Sequence, residues 1–272
     1  MASIFQQQAV NLNRIISRIN LGNITSVYKF FFVFLISFNV FAEQAKVAII
    51  IDDIGYRPSD QAALNLPGKV TYSVLPHTPF GQQLAAKAHS SQRDVMLHIP
   101  MEAMNGKFMG PGGLSATMSK NELRQSLSNA LVDIPQAIGI NNHMGSKLTT
   151  LSLPMQWTMQ FLKEQKLFFL DSKTNQRSIA EKMARREGLP TLSRHIFLDN
   201  KLNDLYIEGQ FNKLIKLAKR TKYAIAIAHP HPESVAALTR LIPTLKKHNI
   251  ELVSVSALLN STDKTSASQQ AE

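Results

Sequence analysis

The 272-residue chain contains no cysteine. That excludes disulfides, thiolate metal sites, a cysteine nucleophile and a lipidated-cysteine anchor. It also lacks a P-loop, a G-x-G-x-x-G fingerprint, an H-E-x-x-H helix and a G-x-S-x-G elbow, so those phosphate, dinucleotide, zinc-protease and serine-hydrolase chemistries have no sequence support. The glycines of "GPGG" at 110–113 do not follow an apolar strand and do not read as a phosphate cradle. No Gly-, Pro- or Ser-rich linker divides the chain, and no internal repeat is visible. The formal net charge is +11, yet no basic run is interleaved with aromatics, so nucleic acid is not an expected partner. A surface that attracts anionic polymers or lipid headgroups fits the same charge.

Acidic residues are absent from the first 42 positions, which carry Arg14, Arg18 and Lys29. The segment ends in "KFFFVFLISFNVFA" (29–42), a cation followed by an apolar stretch from Phe30 to about Val40. This is short for a membrane span. Val40 and Ala42 suit cleavage after Ala42, so residues 1–42 are expected to be a signal peptide, with a retained N-terminal anchor as the alternative. The expected compartment is the periplasm or the exterior. Residues 43–260 then form the exported domain, and the polar stretch 261–272 is expected to be a disordered tail.

From Lys46 onward, short apolar runs alternate with helical patterns. The runs are 47–51, 70–75, 94–99, 137–141, 167–171, 193–199, 223–229 and 251–256. Between them, 119–134 opens with Ser119 and Glu122 at capping-box spacing, and 210–220 and 233–248 repeat apolar residues at three- and four-residue steps. Pro243 should kink the last of these. The Gly- and Met-rich stretch 105–119 is expected to be a rim loop. The alternation predicts an α/β fold, a distorted or incomplete parallel (β/α) barrel of about seven strands, with an open doubly wound sheet as the alternative.

Active sites of such folds lie at the carboxyl ends of the strands. Asp52 and Asp53 follow the first run. His98 lies in the third, in "LHIPME"; Asn141, Asn142 and His143 end the fourth, in "NNHMGS"; and Asp171 ends the fifth. Asp199 ends the sixth, and His229 and His231 end the seventh, in "AHPHPES". Any one of these is commonly a turn former, a cap or a satisfied core residue. Gathered at these strand ends, carboxylates and imidazoles make a donor set suited to zinc or another divalent cation. A cation would also relieve the repulsion between Asp52 and Asp53. If β1 stays extended there, only one of the pair can point at a given ion.

At these residues the chain resembles the polysaccharide deacetylase (NodB-like) superfamily, and more closely its divergent polysaccharide deacetylase branch, from about Lys46 to Leu259. "IDDIG" is similar to the first family motif, which implies Asp52 as catalytic base and Asp53 as metal ligand. "LHIPME" matches the histidine metal motif at His98 but carries Glu102 where the second histidine would stand. "NNHMGS" is a hallmark of the divergent branch; its His143 is the implied third ligand, with Glu102 in reserve. "IAHPHP" resembles the late motif whose histidine is a general acid, matched by His229 with His231 as alternate. The arginine-containing third motif is not visible. The resemblance implies a metal-dependent carbohydrate deacetylase-like hydrolase, with zinc as the expected cofactor. The expected partner is a carbohydrate polymer, peptidoglycan included. Asn141, Asn142, Asp171, Asp199 and His231 are candidates to orient substrate or histidines. A glycan-binding or scaffold protein that keeps the metal without turnover is the alternative.

The N-terminal reading predicts mature protein outside the cytoplasm beginning near Glu43. N-terminal sequencing of fractionated cells checks it, and full-length protein confined to the cytosolic fraction would contradict it.

Overall fold

The computed structural model describes residues 44–261; the expected leader or anchor, and all but the first residue of the polar tail, lie outside them. Nine parallel strands form one sheet: β1 (Ala45–Ile54), β2 (Thr71–Val74), β3 (Val95–Met101), β4 (Gly139–Met144), β5 (Phe168–Asp171), β6 (Thr191–Ser193), β7 (Ile196–Phe197), β8 (Tyr223–Ala228) and β9 (Ile250–Leu252). The spatial order is β6-β5-β4-β3-β2-β1-β8-β7, and β9 pairs with the start of β1. Among the described residues, six helices lie between or beside the strands, α1 (Gly81–Ser90), α2 (Lys120–Asp133), α3 (Ser152–Glu164), α4 (Ala180–Arg186), α5 (Asp204–Thr221) and α6 (Pro232–Leu241), and a short last helix follows over 255–261. The expected incomplete barrel is what forms.

The strand 193–199 read from sequence is instead the seam of that barrel. β6 pairs with β5, β7 pairs with β8, and β6 and β7 do not pair with each other. The backbone between them spans the gap, Arg194 N–H donating to Asp171 O and His195 N–H to Ile225 O. The helix read over 233–248 breaks where Pro243 stands, into α6 and a 3-10 turn over Ile242–His248. Ser119 caps α2 and Glu122 completes the capping box, as their spacing requires. Only the first part of 251–256 is strand; the chain turns and residues 255–261 are helical.

Side-chain alternation along the strands sorts two cores. Val47, Ile49 and Ile51 of β1 pack outward with Leu84, Leu123, Met155 and Phe211 of the helices. Ala48 and Ile50 face the barrel interior with Met96, Leu170, Ile225 and Ile227, and Leu258 and Leu259 of the last helix plug that interior from below. Each buried Ile or Leu contributes about 1.5–3 kcal/mol. The apolar filling occupies the lower barrel and leaves the upper interior to polar residues.

Glu181 of α4 pins the seam, bonded to Ser193, Arg185 and Lys173. Partial burial opposes its ionisation, but those three partners outweigh it and hold the carboxyl at about 2. A depressed pKa gives stability that is present above the unfolded value of about 4.3 and lost as pH falls towards 2. Glu181→Gln should therefore be less stable than wild type at pH 7, by ~1 kcal/mol after allowance for solvent screening. Urea melts should show the gap closing between pH 4.5 and 2; a gap that does not change with pH would contradict this.

Candidate functional site

The mouth of the barrel is built on an irregularity in β1. The four residues of β1 from Ile51 to Ile54 lie opposite the three from Tyr72 to Val74 on β2, so β1 carries one extra residue there. Ile51 and Ile54 both pack outward. Between them, alternation turns Asp52 inward, and Asp53 takes a left-handed conformation, φ 59°. For a residue with a Cβ this costs about 1–2 kcal/mol. The expectation for an extended strand, that only one of the two carboxylates could face a given point, therefore does not hold. Asp53 Oδ1 lies 3.0 Å and Asp52 Oδ2 3.7 Å from the same atom, His98 Nε2. Gly55 completes the turn at φ 131°; a Cβ there would meet Thr78 Oγ1 at 2.2 Å. Asp60 fixes the turn by accepting from Gly55 N–H and Arg57 N–H, both at 3.0 Å.

Interior alternation brings His98 of β3 and Asn141 of β4 side by side in register. Asn141 Nδ2 donates to Asp52 Oδ1 (2.9 Å) and to Ser172 Oγ (3.2 Å). Its Oδ1 accepts from Ser73 Oγ and contacts His98 Nδ1 at 2.8 Å. An amide oxygen can only accept, so His98 carries a proton on Nδ1 and turns Nε2 to the mouth. His143 Nδ1 approaches to 2.8 Å of Asp53 Oδ1 and 3.2 Å of His98 Nε2.

Asp53, His98 and His143 can each offer one ligand atom, all within 4.8 Å of one another. Asp53 Oδ1 is buried and, despite the two short distances, forms no directed hydrogen bond. A buried acceptor without a hydrogen is costly. A carboxylate oxygen and two imidazole nitrogens facing one point suit a divalent cation. Burial opposes ionisation of Asp53, but the imidazoles beside it hold its carboxyl well below the usual range. Asp52 is more deeply enclosed, and burial raises its pKa despite His98 and His229.

On the other side of the mouth His229 follows β8. Asp199 Oδ1 lies 3.0 Å from its Nδ1, and Asp199 Oδ2 accepts from its N–H (2.6 Å) and from Ser234 Oγ (2.7 Å). This aims His229 Nε2 at the cleft, 4.0 Å from Asp53 Oδ2. Burial would lower the His229 pKa, yet Asp199, with Asp53 and Asp52 behind it, raises it to about 9. Phe197 stacks on the ring with centroids 6.1 Å apart, and the Arg194 guanidinium lies 3.7 Å over the Phe197 ring. A cavity of about 190 Å³ opens beside Asp53 and His229, lined also by Tyr56, Arg57 and His231.

The family model for divergent polysaccharide deacetylases matches residues 49–259. The chain belongs to the divergent polysaccharide deacetylase family. It is 40% identical over 216 residues to the uncharacterised protein YibQ of Escherichia coli K12, covering 79% of this chain and 67% of that one. An uncharacterised protein of Haemophilus influenzae is 36% identical over 216 residues, covering 79% and 77%. Among solved structures, an uncharacterised protein of Agrobacterium tumefaciens C58 superposes with a TM-score of 0.77 at 25% identity, over 80% of this chain and 90% of that one. A protein of Enterococcus faecalis V583 shares the fold alone, with a TM-score of 0.58 at 13% identity over 79% and 99%.

Of the residues singled out in the sequence, Asp52, Asp53, His98, Asn141, His143, Asp199, His229 and His231 converge on the mouth. Three do not. Alternation turns Asn142 and Asp171 away from the interior. Asn142 bonds Met144 O and Ser172 N–H, and Asp171 bonds Lys173 N–H and Ser178 Oγ. Both shape loops and leave no free polar atom for a substrate. Glu102, the reserve ligand, accepts from Ala116 N–H and pairs with Lys147, which ties down the rim loop. Ser172, which follows Asp171 at the end of the fifth run, belongs to the site; so do Ser73, Arg194 and Phe197, which the sequence reading did not single out, inward parity on β2 being the available signal for Ser73.

Asn141 is not a ligand but sets the His98 tautomer. Asn141→Ala should weaken divalent-ion binding by about 10–100-fold, whereas Glu102→Gln should leave it unchanged. Calorimetric titration with zinc measures both, and unchanged affinity in Asn141→Ala would contradict the assignment.

Proposed function

We propose that the protein is an exported, metal-dependent hydrolase that removes acetyl groups from an N-acetylated envelope glycan. The single observation that carries this is the pairing, across one cleft, of a buried carboxylate beside a cation-ready triad with an imidazole held protonated by Asp199. Acid and base with opposed environments are what amide hydrolysis needs. Asp53, His98 and His143 would hold the ion, with zinc the expected metal. Bound there, a divalent cation supplies Lewis-acid polarisation of a carbonyl and acidification of water.

The chain's own residues do the rest. Asp52 accepts the proton of the attacking water; Asn141 Nδ2 holds the Asp52 carboxylate in place and keeps its other oxygen facing the cleft. His229 Nε2 donates a proton to the leaving nitrogen, and Asp199 keeps the ring oriented and charged. Tyr56, Arg57 and His231 line the open side, where glycan would lie. Family membership supports a carbohydrate substrate; the basic, acid-free N-terminal segment supports export.

Asp52→Asn should keep the bound metal and lose at least ~10²-fold in kcat on an acetylated chito-oligosaccharide or peptidoglycan fragment. Full activity in Asp52→Asn would remove it as base. Wild-type protein that binds such glycans without cleaving them would establish the scaffold alternative. A second prediction concerns pH. An acid with a raised pKa works below that value, so activity should fall as pH rises through about 9. Asp199→Asn removes the carboxylate that raises it, so the alkaline limb should move to lower pH. An unshifted limb would contradict the role given to His229.

A further inference from the structure

The end of the barrel opposite the site carries charge that the proposed reaction does not use. The turns that lead into parallel strands lie at that end. Lys69 precedes β2, Lys166 precedes β5, Lys222 precedes β8 and Lys247 precedes β9, and all four are exposed. Lys219 and Arg220 join them at the end of α5. Among the described residues none of these six has an ion pair with a carboxylate, so their charge faces solvent together at one end. Of the nearby carboxylates, Glu164 is paired with Arg124; Asp94 accepts from Ser256 N–H, Glu187 from Gln156, and Glu251 lies opposite Lys46 in the β9–β1 register, so six cations stand against three carboxylates without an ion pair of their own among these groups. A helix end carries about half a negative charge, so three cations at the end of α5 exceed what its dipole can use.

Two cavities open at the same end, on either side of the last helix. One, of about 320 Å³, joins Lys163 and Lys166 to Phe168, Leu189 and Leu259. The other, of about 390 Å³, joins Lys69 and Arg93 to Val70 and Leu252, with Asp94 and Glu251 beside them. The first, with cations above apolar walls and no carboxylate, has the lining an interfacial phosphate would meet. The chain also enters the domain here: Lys46 N–H bonds Lys222 O at the start of β1. Ahead of Ala45 in sequence runs the apolar segment 29–42 with its basic flank.

We propose that this end is a docking surface for an anionic phospholipid bilayer. Among the described residues no helix is long and apolar enough to cross a membrane, so the contact is peripheral and electrostatic, each cation adding to attraction that decays within a Debye length. Apolar walls beneath the cations of the first cavity favour lipid over a soluble acidic polymer. Docked this way, the barrel turns its mouth away from the bilayer. The inference does not depend on the reaction proposed above.

Both core clusters lie within residues 45–259, so a chain starting at Glu43 keeps the whole core and lacks the apolar segment. Sedimentation with vesicles tests the proposal in 50 mM NaCl. This protein should bind 7:3 phosphatidylcholine–phosphatidylglycerol vesicles and not phosphatidylcholine alone. The partition coefficient should fall at least ~10-fold in 300 mM NaCl. It should fall comparably in each of two triple variants, K69Q/K166Q/K247Q and K219Q/R220Q/K222Q. Two separate triples guard against one that fails to fold. Equal binding to neutral vesicles would overturn the proposal. So would wild-type affinity in either folded variant, or equal affinity per charge for soluble polyglutamate, which would make an acidic polymer the occupant.

Discussion

The extra residue in β1 governs the mouth of this barrel. A regular strand would send Asp52 inward and Asp53 out among the helices, where an unpaired carboxylate would face the apolar core. The bulge between Ile51 and Ile54 and the left-handed φ of Asp53 return the outward pattern to Ile54 and give both carboxylates to the cleft. The strain is tolerated because the surroundings hold it: Asp60 ties the turn, Gly55 allows Thr78 to close on it, and two imidazoles receive Asp53. Two like charges this close would repel strongly unless something positive lay between them. The imidazoles of His98 and His143 stand where that positive charge is needed, and the two of them with Asp53 could hold a metal ion.

Around that pair, the division of labour follows from which partners are already satisfied. Asn141 uses both ends of its amide, holding Asp52 with the nitrogen and fixing the His98 tautomer with the oxygen. Asp199 spends both oxygens on His229 and Ser234. What is left facing the cleft is one orphaned carboxylate oxygen, two imidazole nitrogens, a buried carboxylate and the His229 ring. The seam of the barrel serves the same end, since the segment that crosses it carries Arg194 under Phe197, and Phe197 against His229.

Much of this was legible in the sequence, because parallel strands announce themselves as apolar runs and their carboxyl ends carry the polar residues. The incomplete barrel and the gathering of carboxylates and imidazoles at its strand ends follow from that pattern, the cap at Ser119 from its spacing to Glu122, and the choice of Asp53, His98 and His143 as a ligand set from the family resemblance. Parity read more strictly would have gone further. Counting alternate residues from Ile49, Leu97, Ile140 and Phe169 separates the inward Asp52, His98, Asn141 and His143 from the outward Asn142 and Asp171. The bulge was not legible, since it depends on register with β2, and neither was the split of 193–199 into two edges, which is set by closure of the barrel. The pairing of Glu102 with Lys147 depends on how the rim loop folds back, a tertiary event with no local signature.

The central claim is that one oxygen of Asp53 and two imidazole nitrogens share a divalent ion, leaving Asp52 free beside it. Anomalous diffraction at the zinc edge from crystals of the zinc-loaded protein addresses it directly. The account predicts a single anomalous peak within bonding distance of Asp53 Oδ1, His98 Nε2 and His143 Nδ1, with Asp52 unligated and still bonded to Asn141. A peak bound through Asp52, Glu102 or His229, or no bound ion at this mouth under saturating zinc, would contradict it.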